Sequence, residues 1–220
     1  TRAAIEFVNT ELGGVNGRPI ELEVCNTEFS PEGSTACAQQ FVQDGVPAVL
    51  GGIDVFGNGI DTLAENEIPF VGGIPVSAQS VESANSFQWS GGTWGATVAF
   101  AHHAATEVKA DSVAIVYPEF GPISDSADYG RITLENAGVT DVVMVPYPIT
   151  ATDLSSPIQA ANSASPDAVI MLAADTGCKG AFDGFATVGV EAQVYLVGAC
   201  ASPKIIDEAG LKAIDTEIRK

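Results

Sequence analysis

"SVAIVYPEFGPISDSADYGRITLENAGVTDVVMVPYP" (residues 112–148) reads as one complete unit of a parallel sheet. Two apolar runs, SVAIVYP and DVVMVPYP, bracket a longer polar stretch. The runs are continuous in Val, Ile and Ala rather than alternating, as in strands buried on both faces of a parallel sheet. A parallel partner needs a crossover of a dozen or more residues, and the polar stretch supplies one of helical length.

The same scheme extends outward in both directions. DAVIMLAA (167–174) and QVYLVGA (193–199) follow, with helical segments between them. Upstream stand PAVLGG (47–52), IPFVGG (68–73), FQWSGG (87–92) and a long helix through TWGATVAFAHHAATEV (93–108). IELEVCN (20–26) alternates and is rich in β-formers, so it predicts a strand. Ser30 offers an N-cap with Pro31 at the first helical position, and the helix then runs to Gly45. Strands alternating with helices mean βαβ units. The sheet restarts at Ser112 after the long helix, which places lobes at 1–91 and 92–220. The opening TRAAIEFVNTELGG, with Ile5, Val8 and Leu12 at helical spacing, and the closing GLKAIDTEIRK both read as helix. Neither reads as a domain border, and a fragment is expected.

Composition narrows the function. The 220 residues are 46% apolar, enough for a substantial core. The 28 acidic residues outweigh 9 basic ones, giving a net charge of −19. Such a surface repels phosphate backbones and anionic headgroups, so nucleic acid and membrane surfaces are poor partners. No apolar run reaches the roughly 18 residues of a membrane helix, and no basic-then-apolar leader is present.

The four cysteines form two local pairs, Cys25 with Cys37 and Cys178 with Cys200. In a βα unit these positions approach to disulfide distance, and the even count favours two bridges in an oxidising compartment. Four buried free thiols are the alternative. Zinc is disfavoured: there is no CxxC, and the two histidines, His102 and His103, are neighbours pointing about 100° apart on a helix.

Catalytic motifs are absent. GGIDVFGNGIDT lacks the GxGxxG spacing, and there is no GxxxxGK[ST], GxSxG or HExxH. No carboxylate spacing singles out an acid–base pair. The expectation is no enzyme, no cofactor and no metal.

The segment AAIEFVNTELGGVNGRPIELEVCNTEFSPEGSTACAQQFVQDGVPAVLGG (3–52) resembles the type I periplasmic solute-binding proteins. The similar branch is the one that binds branched-chain amino acids for ABC importers. The likeness continues through IPFVGG, SVAIVYPEFG, SPDAVIMLAAD and VGVEAQVYLVGACASP. It implies an α/β fold of two Rossmann-like three-layer lobes with mostly parallel sheets. It also implies that a first strand, belonging beside residues 20–26, and a C-terminal part lie outside the chain. On this reading the protein is extracytoplasmic, free or lipid-anchored. It closes on a small polar solute, an amino acid or related compound, and hands it to a membrane permease. A sensory receptor domain of the same fold is the alternative, and an α/β enzyme a more distant one.

The resemblance places the ligand at the strand-end loops. In the loop after PAVLGG, where relatives carry a hydroxyl for the ligand carboxylate, Asp54 and Val55 stand instead. Gly73, Ile74, Pro75 and Ser77 match the next carboxylate-binding turn. Phe120 matches an aromatic position, and Asp175 lies near another. Gly198 and Ala199 occupy the place of an acid that holds the ammonium in amino-acid binders. Each has a plainer role open to it: Asp54 and Asp175 as turn or capping residues, Phe120 as core, Trp89 and Trp94 as packing anchors. Two acids with no base nearer than Lys179 point to a cationic, amide or polyhydroxylated solute.

Overall fold

The computed structural model describes residues 1–173 and 175–208, with the backbone alone of Asp175, Thr176 and Glu208. The predicted closing helix at 210–220 lies outside the described residues. Helix α1 (Arg2–Glu11) leads through a tight turn at Val15–Arg18 into an irregular stretch and then α2 (Pro31–Asp44). Three short parallel strands follow: β1 (Val49–Leu50), β2 (Phe70–Gly72) and β3 (Ser86–Gln88), in that order across the sheet. Helices α3 (Asn58–Glu65) and α4 (Ala78–Glu82) connect them.

Helix α5 (Gly92–His103), prolonged by a π-helical turn at Ala104–Val108, leads to the second sheet. Its strands are β4 (Ser112–Pro118), β5 (Asp141–Tyr147), β6 (Ala168–Met171) and β7 (Gln193–Leu196), all parallel, in the order β5-β4-β6-β7. The crossovers are α6 (Gly121–Asn136), α7 (Ser155–Asn162) and α8 (Asp175–Val188); a 3₁₀ turn at Gly198–Ala201 and α9 (Pro203–Glu208) end the described chain. In this order β5 lies on one side of β4 and β6 and β7 on the other. Right-handed crossovers therefore put α6 and α7 on opposite faces. The reversal creates a crevice beyond the carboxyl ends of β4 and β6.

Each sheet has its own core. Val113, Ala114, Ile115 and Val116 of β4 and Ala168 to Met171 of β6 are almost wholly buried, which the continuous apolar runs require. Ala101 and Ala104 of the α5 region belong to this second core. The first core is much smaller: Ala38, Ile60, Leu63, Ile68 and Phe70.

Local signals in the first lobe are obeyed. The Ser30 hydroxyl accepts from the Gly33 amide at 3.0 Å, and Gly45 ends α2 with φ +68°. Both cysteine pairs are disulfides: Cys25–Cys37 with Cα atoms 5.6 Å apart, and Cys178–Cys200 with 5.2 Å.

One predicted element does not form. Ile20–Asn26 has no regular secondary structure and joins no sheet among the described residues. Its backbone is met at Ile20, which exchanges two hydrogen bonds with the Asn9 side chain at 2.7 and 2.8 Å. The reason is geometric. Leu22 and Val24 of this segment face Val49, Leu50 and Phe70 across a cavity of about 1210 Å³ instead of lying against β1. Without a neighbour at ladder distance, alternating β-formers cannot pair, and Val24 and Leu50 stay more than 60% exposed.

Candidate functional site

Ligand crevices in such sheets lie outside the carboxyl ends of the strands, and the loops there are built in different ways. The loop after β1 is held from below by α2. The Ser34 hydroxyl, on a residue 2% exposed, donates to Asp54 Oδ2 at 2.7 Å and accepts from the Gly59 amide at 2.7 Å. Asp54 Oδ1 accepts from the Gly57 amide at 3.1 Å. Two of the amides that open α3 are thus satisfied from within the chain, one by a carboxylate. Such amides form the positive end of a helix, where an anionic ligand would otherwise bind. Close approach makes this possible: a Cβ on Gly59 would lie 2.7 Å from the Ser34 carbonyl oxygen.

The loop after β2 is fastened in a similar way. Gly73 donates to the Gly52 carbonyl at 3.5 Å and accepts from the Ser90 hydroxyl at 2.9 Å. The Trp94 indole donates to the Val76 carbonyl at 2.9 Å. Ser77 caps α4 through the Ser80 amide and is buried. Pro75 and Val55 are buried as well. Ile74 and Ile53 project, 47% and 49% exposed.

In the second lobe, Phe120 stands at the start of α6, and Tyr147 pins the turn beyond β6 by donating to the Leu172 carbonyl at 2.8 Å. Burial pushes the Tyr147 phenol up to about 12. Gly198 and Ala199 are exposed on the 3₁₀ turn after the edge strand β7, anchored by the buried Cys178–Cys200 bridge. The Asp175 side chain lies outside the described residues.

Besides the Trp94–Val76 hydrogen bond, side chains of the two sheets' surroundings meet at two further places among the described residues. Phe56 meets Phe120 with ring centroids 6.0 Å apart and planes inclined 64°. Away from this pair, the Tyr129 hydroxyl of α6 donates to Glu82 at the end of α4, and this bond raises the Tyr129 pKa. Trp94, 3% exposed, packs edge-on to Tyr129 at 4.4 Å, the anchoring role expected of it. Trp89 does not pack: it projects from the end of β3, 79% exposed.

Phe56 was not among the residues picked out by sequence. The signal for it is modest: Phe-Gly recurs at Phe56-Gly57 after β1 and at Phe120-Gly121 after β4. Among the described residues no three potential metal ligands cluster, and no helix is long and apolar enough to cross a membrane.

The comparisons agree with this architecture. The family model described as periplasmic binding protein matches residues 1–216, and the chain belongs to that family. The family is one of solute-binding proteins. No curated protein matches significantly. Among solved structures, the leucine-binding protein of Thermotoga maritima superposes with TM-score 0.71 at 17% identity, over 94% of this chain and 60% of its own. A periplasmic binding protein type 1 from Bordetella pertussis gives 0.73 at 16%, over 95% and 59%. An ABC-transporter solute-binding protein from R. palustris, in complex with 4-hydroxybenzoate, gives 0.68 at 21%, over 93% and 59%. The chain therefore spans about 60% of the length of these structures, and at such identities the likeness establishes the fold.

Proposed function

We propose that this chain is the solute-clamping portion of an extracytoplasmic binding protein that serves an ABC importer. The two lobes, divided at residues 91 and 92, close by a hinge on a small solute, and the closed form docks on a membrane permease. The observation that carries this reading is the meeting of Phe56 and Phe120 across the crevice, at the strand ends where doubly wound sheets take ligands. The family's occupation with solute binding supports it.

The solute is one whose recognition does not begin with a carboxylate. No Lys or Arg stands in the loops at 51–57, 73–77, 89–91, 119–120 or 197–202. Asp54, one of the two acids that suggested a polar cationic or amide ligand, is engaged by Ser34 and Gly57. Its part is to neutralise the start of α3 internally, and the ligand meets the exposed apolar side chains beside it.

The test is a thermal-shift screen of small metabolites followed by small-angle scattering with each hit. A smaller radius of gyration and a solute recovered unchanged by mass spectrometry are expected. A chemically converted solute, or binding with no change in dimensions, would overturn the reading.

A further inference from the structure

We propose that the crevice takes an organic cation, whose alkylated ammonium head lodges against the faces of Phe56 and Phe120; this rests on the solute-clamping reading above. An aromatic face attracts a cation lying within about 6 Å of the ring centroid. Two rings at 6.0 Å and 64° form inclined walls, so a cation on the open side faces both without forcing the lobes apart. Both residues are half-buried, neither being sealed in a core.

The electrostatics of the crevice point the same way. The amides of α3 that would greet an anion are held by Asp54 and Ser34. Glu119 stands exposed beside Phe120, and Asp153 stands in the loop after β5. Two basic residues on the helices that follow crevice loops are paired with carboxylates, Arg131 with Asp128 and Glu135 and Lys179 with Asp183, and Lys204 stands at the start of α9, two residues past the 197–202 loop. The net charge of −19 adds a long-range field that concentrates cations and repels anions at moderate ionic strength.

Shape and charge are separable with paired probes. Choline and its neutral isostere 3,3-dimethylbutan-1-ol are titrated calorimetrically against the 220-residue chain, with leucine and 4-hydroxybenzoate alongside. Choline binds, and the isostere binds at least tenfold more weakly. Phe56→Leu and Phe120→Leu, which keep apolar bulk and remove the π-face, each weaken choline about tenfold while the far-ultraviolet melt is retained.

Equal binding of choline and the isostere, or choline binding undiminished in both variants, overturns the cation assignment. Leucine or 4-hydroxybenzoate binding in place of choline also overturns it while leaving solute clamping intact. If none of the four probes and no member of the metabolite screen binds, both readings fall together.

Discussion

Removing the Asp54 carboxylate tests whether that residue is structural or waits for a ligand. In Asp54→Ala the Gly57 amide loses its acceptor, and the nearly buried Ser34 hydroxyl keeps only the bond it receives from Gly59. A hydrogen bond to a charged group contributes about 1.5–3 kcal/mol. Asp54 is half-buried and takes part in two such bonds, so a loss of about 2–3 kcal/mol is expected. For a chain of this size that lowers Tm by about 4–12 °C. Asp54→Asn keeps one acceptor oxygen and should lose about 1 kcal/mol. The decisive measurement is a double-mutant cycle with Ser34→Ala, read from urea midpoints. Because Ser34 and Asp54 share one bond at 2.7 Å, a coupling energy of about 1–2 kcal/mol is expected. Effects that add to within about 0.5 kcal/mol, with Tm barely moved in Asp54→Ala, would refute the argument and return Asp54 to the pool of ligand contacts.

Three further outcomes follow from the packing. Reducing both disulfides should lower stability by about 3 kcal/mol per bridge on loop-closure grounds, seen as a Tm drop on adding dithiothreitol; an unchanged melt contradicts this. Gly59→Ala should destabilise by about 1–3 kcal/mol, because its methyl meets the Ser34 backbone. Gly95→Ala, with open space around it in α5, should instead stabilise by about 0.5–1 kcal/mol, and chemical denaturation of the pair checks both signs. Tyr147 holds its proton more tightly folded than unfolded, so its contribution is complete below pH 10 and is lost as pH rises from 10 towards 12. Tyr147→Phe should flatten that alkaline limb in a pH series of urea melts, and an unaltered limb would rule the residue out.

Much of the architecture was open to reading one element at a time. The runs at 112–118, 141–148, 167–174 and 193–199 specify parallel strands; the two central ones, β4 and β6, are buried as continuous apolar runs require, whereas β5 and β7 stand at the sheet edges and are only partly buried. Ser30 and Pro31 mark the start of α2, and Gly45 its end, through the backbone groups each satisfies or frees. The cysteine pairs could be matched because each bridge closes a short loop, of 12 and 22 residues.

What the sequence determined by itself is what neighbouring residues decide among themselves: strand type, helix ends, local bridges and the net charge. Tertiary structure alone decided the rest. Ile20–Asn26 has the composition of a strand, but a strand exists only by pairing, and across the cavity there is nothing at ladder distance. That the Asp54 carboxylate accepts from Ser34, twenty positions away, could not be read from either residue's neighbours. Phe56 and Phe120 acquire meaning only as a pair, because two lobes bring together rings that lie sixty-four positions apart in the chain.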